Sequence, residues 1–339
     1  KIVPTLTTTG FVMAIVSGCL AEEWEISPDY KECKVKLQEG VKFSNGDPLT
    51  TKDVKWTLEE AINQPWCSRW VANFEGVEIV DEYNCILKWS EGDPNFMKYF
   101  AQNSMNILPA DYIAEVGVDG YKQKPIGTGP FILESWTRGD RIVLKTNKDY
   151  FMGSASYDTL VIRMINDANS ALMALEAGEV DVVCDLKPTF KDVVAQNENL
   201  RWEEAASAVF VYIQVQNQKA PFDDVRVRKA LNMAINREQL QAVALGGGGS
   251  LAPYGISPYS PQWSDNDLLP AYDPEAARKL LAEAGFPNGL DVTLTCREGD
   301  YQKPASEVVQ ANWADIGVNC KVEVMERNAQ INDMIAGSY

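Results

Sequence analysis

The feature that most restricts this chain is a strand–helix–strand run near its C-terminal end. "DVTLTC" (Asp291–Cys296) and "VNCKVEV" (Val318–Val324) alternate apolar and polar residues, and a helical stretch over Ala305–Ile316, stopped by Gly317, lies between them. Strands joined through a helix cannot close a hairpin. The crossover makes them parallel, and parallel strands require helices on the sheet, which places the chain in the α/β class. The same order occurs upstream. "LVIRMI" (Leu160–Ile165) reads as a strand, Asn169–Ala177 as a short amphipathic helix ended by Gly178, and "DVVCDL" (Asp181–Leu186) as the next strand.

The remaining segments are read in the same terms. "KVKLQEGVKF" (Lys34–Phe43) has apolar residues at period two, and "SNGDP" (Ser44–Pro48) is a turn by its Asn-Gly and Asp-Pro content. Thr50-Thr51-Lys52-Asp53 offers a cap for a helix running to about Ile62. "GVEIVDEYNCILKW" (Gly76–Trp89) reads as two strands around an Asp-Glu turn, followed by a helix near Asn95–Ala101. A Gly/Pro-rich crossing at Pro125–Pro130 leads into a hairpin through Thr137–Asp140. "AVFVYIQVQN" (Ala208–Asn217) reads as a strand too apolar to be exposed on both faces. A helix starts at Asp223 or Asp224, with Val227, Ala230, Leu231, Ala234 and Ile235 on its core side. Asp273-Pro274 caps a helix ending at Gly285. "GGGGS" (Gly246–Ser250) has linker composition, either a natural glycine loop or an engineered join; with no Gly-Lys-Ser/Thr after it, it is not a phosphate loop.

Composition removes several functions. The 339 residues carry a net charge of −17 and no histidine. Nucleic-acid binding needs clustered Lys and Arg, so it is set aside. Without histidine there is no Ser-His-Asp or Cys-His nucleophile, and the commonest zinc and nickel ligand is missing. The seven cysteines are widely spaced with no C-x-x-C, which argues against a metal cluster. Cys33, Cys296 and Cys320 fall inside strand patterns and read as buried thiols. A Cys33–Cys85 disulfide is the alternative, should the compartment be oxidising. No apolar run approaches the ~18–20 residues that cross a bilayer. "FVMAIVSGCLAEEWEIS" (Phe11–Ser27) has two readings, a lipoprotein cleavage site at Cys19 or an early strand of the folded body.

Five blocks, in order, resolve that choice: "LAEEWEIS" (Leu20–Ser27), "VKLQEGVKFSNGDPLTTKDV", "PIGTGPFILESWTRGDRIVLKTNKDYF" (Pro125–Phe151), "LEAGEVDVV" and "PFDDVRVRKALNMAINRE". Together they resemble the extracellular solute-binding proteins of the peptide/nickel ABC importer family (bacterial family 5). The resemblance implies that Leu20–Ser27 is a strand of the body, so Cys19 is not the acylated cysteine. It implies a periplasmic-binding-protein type II-like fold with two lobes, an additional small domain and mixed sheets. Residues 1–124 would form mainly the smaller lobe, with some first-domain strand at the start, 125–216 the first α/β sheet domain, and 217–339 an incomplete third domain. The chain is expected to be incomplete at both ends, so that residues holding a ligand's charged ends are absent.

The resemblance also implies the function: capture of a short peptide in an interlobe cleft and delivery to the transmembrane permease subunits of an ABC importer. The protein would be a monomer without cofactor, metal or catalytic residues, periplasmic or anchored at the cell surface as a lipoprotein. In the smaller lobe, "QPWCSRWVANF" offers Trp66, Arg69 and Trp70 as a ligand wall, and "FAQNSMNILP" offers Asn103, Ser104 and Met105. Ordinary core packing is the alternative for each tryptophan. Gly127, Thr128, Gly129, Pro130 and Asn217 are expected at the hinge crossings. Arginines occur in the second stretch of nickel-type relatives, whereas this chain has Gln102–Met105 there, which disfavours an arginine-anchored chelate. The rivals are a nickel-chelate or other small-solute receptor of the same family and, outside it, a glycoside hydrolase built on a carboxylate pair among the 48 acidic residues.

Overall fold

Period-two alternation in "AEEWEI" and "ECKVKL" makes the first two strands, β1 (Ala21–Ile26) and β2 (Glu32–Leu37). The computed structural model describes residues 19–64, 67, 71, 73–100, 105–204, 211–251, 269–297 and 301–337, without the side chains of residues 97 and 98. Packing divides the described residues into two compact units, one up to Ser170 and the other from Ala171 onward.

In the first unit, helix α1 (Thr51–Asn63) follows β2, and then come strands β3 (Phe74–Ile79) and β4 (Asn84–Trp89). The sheet order is β1-β2-β4-β3, antiparallel throughout. Trp24, Ile26, Cys33, Val35, Leu37, Cys85, Leu87 and Trp89 share its core. The opposite face is charged, with Lys34 on Glu25 at 3.0 Å and Lys36 on Glu22 at 2.9 Å. α1 begins with the capping box read from the sequence: Thr50 accepts from the Lys52 N–H, and Asp53 accepts from the Thr50 N–H at 2.9 Å. Its Val54, Leu58 and Ala61 complete the core.

Helices α2 (Phe96–Phe100) and α3 (Ala110–Gln123) lead to a second sheet, the antiparallel meander β5 (Phe131–Thr137), β6 (Arg141–Thr146) and β7 (Thr159–Arg163). A smaller cluster of Val41, Phe43, Leu49 and Ile126, joined by Leu20, Tyr112, Tyr121 and Phe151, packs beside α3. The upstream strand–helix–strand expectation is corrected. β7 pairs antiparallel with β6, and α4 (Ala168–Glu176) forms as read, but 181–186 is not a strand. A strand exists only through a ladder partner, and none lies beside this stretch among the described residues; Val182 is exposed and Asp185 turns the chain at φ 59. Of the expected strand at 208–217, residues 208–210 lie outside the described residues and 211–217 form no strand.

After α4 the chain makes a 3-10 turn at Pro188–Phe190 and a short helix α5 (Lys191–Ala195). There follow α6 (Val225–Met233), α7 (Arg237–Leu245), α8 (Pro274–Glu283), β8 (Leu290–Arg297), α9 (Gln302–Ala314), β9 (Val318–Met325) and α10 (Arg327–Ala336). The caps are those read from the sequence: Asp224 accepts from the Arg226 N–H at 2.7 Å, and Asp273 from the Ala276 N–H at 2.8 Å. β8 and β9 pair in parallel from Leu290↔Val318 to Arg297↔Met325, so the βαβ expectation holds. The core joins Val227, Ala230, Leu231 and Ala234 to Ala277, Leu281, Val309, Trp313, Ile316, Val318 and Cys320. The Trp313 indole N–H donates to the Leu231 carbonyl at 3.0 Å, which ties α9 to α6.

The glycine run has a packed place. Gly246 caps α7 in the left-handed region at φ 58, and a side chain there would meet Thr189 at 2.6 Å; one at Gly248 would meet Pro188 at 2.6 Å. The Gln241 amide donates to the carbonyls of Gly248 and Gly249 at 3.2 and 2.8 Å. Among the described residues, no helix is long and apolar enough to cross a membrane.

Candidate functional site

The two stretches singled out as ligand walls spring from a single aromatic core. Phe74, which ends the first stretch, packs edge-on against Trp89 at 5.2 Å and against Phe100 at 5.9 Å, and Phe100 begins the second. Phe96 closes the group, 4.4 Å from the Trp89 ring. Edge-to-face pairs at such separations, as Phe74 makes with Trp89 and Phe100, add about 0.5–1.5 kcal/mol each beyond their buried area. From the first stretch Val71 is 3% exposed and Cys67 packs partly buried against the same core; from the second, Met105 and Ile107 do so. Trp66, Arg69, Trp70, Asn103 and Ser104 lie outside the described residues. Met105 is 4% exposed, so its observed contacts are with the core.

Helix α1 also fixes where the second stretch ends. The Thr57 hydroxyl accepts from the Leu108 N–H at 2.9 Å, and the Asp53 carboxylate accepts from the Ala110 N–H at 2.9 Å. Both side chains are buried polar groups satisfied by backbone. Sequence reasoning missed this second use of Asp53, which read only as a helix cap. A polar residue at the buried position 57, on the apolar side of an amphipathic helix, was the available signal.

The crossing at 125–130 is tethered through its carbonyls. Tyr121 donates its hydroxyl to Ile126 at 3.1 Å, and the Ser44 N–H donates to Gly127 at 2.9 Å. Asn147, buried at the end of β6, donates its side-chain amide to Gly129 at 3.0 Å and its N–H to Pro130 at 2.8 Å. Thr128 lies between these anchored pairs. In the other unit, Asn217 sits in a turn whose neighbours Gln216 and Lys219 donate to the Gly337 carbonyl at 3.3 and 2.7 Å.

The chemistry of these surroundings is that of contact and backbone pairing. Burial pushes the Cys33 thiol up to about 12 and the Cys85 thiol up to about 11, so both are neutral at pH 7 and neither is a nucleophile. Among the described residues, no group of three or more Cys, Asp or Glu side chains is placed to hold a metal ion.

Comparison with known proteins agrees with the sequence resemblance. The family model described as "Bacterial extracellular solute-binding proteins, family 5 Middle" matches residues 16–339. A di/tripeptide-binding protein from Pseudomonas aeruginosa (strain UCBPP-PA14) is 30% identical over 352 residues, covering 94% of this chain and 65% of its own length. The chain thus spans about two thirds of the length of the curated relatives it matches, at 65%, 66% and 66% for three of them. Among solved structures, the periplasmic binding protein DppA from Helicobacter pylori in complex with the peptide STSA superposes with a TM-score of 0.79 at 25% identity, covering 95% of this chain and 67% of that one. NikZ from Campylobacter jejuni in complex with Ni(L-His) shares the fold at TM-score 0.77 and 22% identity, covering 92% and 66%. The neighbours have the periplasmic-binding-protein type II-like architecture expected from the sequence. The chain belongs to the family 5 bacterial extracellular solute-binding proteins.

Proposed function

We propose that this protein is the substrate-binding component of an ABC importer, capturing a short peptide in an interlobe cleft and passing it to a membrane permease. The observation that carries the reading is the match to a di/tripeptide-binding protein over 94% of this chain. The work is binding and not turnover. Trp66 and Trp70 supply an apolar wall for peptide side chains, Arg69 a charge beside it, and Asn103 and Ser104 hydrogen bonds to the peptide backbone. Met105 supports the second stretch from the core. Backbone pairing tolerates many sequences, while roomy, hydrated side-chain pockets give breadth. The aromatic core that contains Phe74 and Phe100 would brace the ends from which the two stretches extend, and bracing of that kind lowers the ordering cost of binding.

Lobe closure would make the surface that the permease reads. The hinge positions of this reading are Gly127, Thr128, Gly129 and Pro130 in the first crossing and Asn217 in the second. The three-domain division, with limits at 124/125 and 216/217, belongs to this reading, as do the monomeric state and the periplasmic or cell-surface location.

Native mass spectrometry of the full-length protein tests the function by the mass of what it retains. Peptide masses support it; a metal chelate or an oligosaccharide refutes the ligand class. Trp66→Ala and Trp70→Ala are each expected to weaken peptide binding by ~1–3 kcal/mol without lowering the melting temperature. Unchanged affinity with lowered stability returns both rings to the core.

A further inference from the structure

Two thiols unused by the proposed function face one another obliquely inside the four-stranded sheet. Cys33 on β2 is fully buried and Cys85 on β4 is 1% exposed. In the ladder Cys33 stands opposite Leu87, and Cys85 opposite Val35, so the cysteines share the core face but are diagonal neighbours. A disulfide needs Cα atoms roughly 4.4–6.8 Å apart. Directly opposed residues meet that requirement, whereas diagonal ones stand about 7–8 Å apart. Bringing Cys33 opposite Cys85 requires β2 to slide on β4 by two residues. Because the shift is even, Cys33, Val35 and Leu37 stay on the apolar face, so the slipped ladder competes with the native one. The native register is bracketed at both ends by backbone bonds that the slide breaks: Leu37 N–H to the Tyr83 carbonyl at 2.8 Å, and Trp89 N–H to the Lys31 carbonyl at 2.9 Å.

We propose that Cys33 and Cys85 form a redox-sensitive register lock: the native ladder keeps them as separate, sealed thiols, and oxidation of an opened ladder by a small-molecule disulfide fixes β2 and β4 two residues out of register. In that oxidation one cysteine thiolate attacks the small-molecule disulfide and expels a thiolate, leaving a mixed disulfide. The second cysteine thiolate then displaces the other half. The two protein thiols lose two electrons and two protons, and the oxidant leaves as two thiols, so the step balances. Burial, which holds both thiols neutral, keeps the folded protein out of this reaction.

The test exposes the full chain to glutathione disulfide in two ways, with alkylation and peptide mapping by mass spectrometry. Added to the folded protein, the reagent is expected to modify the exposed Cys19 and Cys184 while Cys33 and Cys85 are recovered as thiols. Present while the urea-unfolded chain is diluted to refold, it is expected to give a Cys33–Cys85 cross-link and loss of cooperative melting in the near-ultraviolet. Dithiothreitol then restores that melting. Cys85→Ala and Cys33→Ala each remove the link; whichever melts cooperatively under reductant is expected to refold equally well with and without the oxidant. The proposal is overturned if the folded protein acquires the cross-link with unchanged melting, if refolding yields no Cys33–Cys85 link, or if that variant is lost to oxidant as fully as the parent.

Discussion

Gly289 precedes β8 at the point where β8 and β9 start side by side, and replacing it with alanine probes the βαβ unit directly. Its φ is +83, and a Cβ built there would overlap the Gly317 carbonyl oxygen and stand 2.6 Å from the Gly317 carbonyl carbon. The atoms in the way are backbone, so no side-chain rotation relieves the overlap. The left-handed backbone alone costs a residue with a Cβ about 1–2 kcal/mol. Relief of the overlap moves the head of β9 and disturbs the first ladder pair, Leu290↔Val318, where Val318 is 1% exposed. Losing one or two ladder bonds and part of that burial adds about 2–3 kcal/mol. Gly289→Ala should therefore lose about 3–5 kcal/mol. Gly285→Ala is the control, because its φ is +99 but no atom lies within 4 Å of its built Cβ. It should lose only about 1–2 kcal/mol. Urea unfolding followed by tryptophan fluorescence, to which Trp313 in this unit's core contributes, reads the loss. Equal losses at the two positions, or a loss below about 1 kcal/mol at Gly289, would refute the close-approach argument.

Three further outcomes are expected. Trp313→Phe leaves the Leu231 carbonyl without its indole donor and should cost about 1–3 kcal/mol in urea unfolding, with little change in far-ultraviolet circular dichroism. Asn147→Ala removes the side-chain bond to the Gly129 carbonyl and should lower the stability of the first unit by about 1–3 kcal/mol, read as faster proteolysis at 125–130. The Cys33 and Cys85 thiols titrate higher in the folded chain, about 12 and about 11, than the value near 9 of an unfolded one. The folded state holds these protons more tightly, so this stability is fully present below pH 9 and is lost as pH rises toward 11–12. Between pH 8 and pH 10 the two together should lose about 3 kcal/mol, and a Cys33→Ala/Cys85→Ala double variant should show a flatter profile.

Local chemistry made much of the fold readable from sequence. The Thr50/Asp53 box, the Asp224 and Asp273 caps and the alternation in Asp291–Cys296 each involve neighbours within a few positions, and each forms as read. Asp181–Leu186 reads as a strand yet forms none, because an apolar run reports burial appetite and not whether a partner strand lies alongside. Likewise, the parallel order inferred for the upstream unit depended on a crossover that 181–186 does not complete. At the candidate site, sequence could name the two stretches but not what braces them. The Thr57–Leu108 and Asp53–Ala110 bonds span more than fifty residues, and no periodicity encodes such a contact. Nothing local marks Asn147 either, its carbonyl partners lying 17 and 18 positions earlier.

Isothermal titration calorimetry of the full-length protein tests the central claim most directly. Di- to tetrapeptides are titrated beside a nickel–histidine chelate and a short oligosaccharide at equal concentrations. The account predicts saturable binding of peptides of varied sequence at micromolar concentration or tighter, with no heat from the other two. Silence from every peptide, with micromolar binding of the chelate or the oligosaccharide, would contradict it.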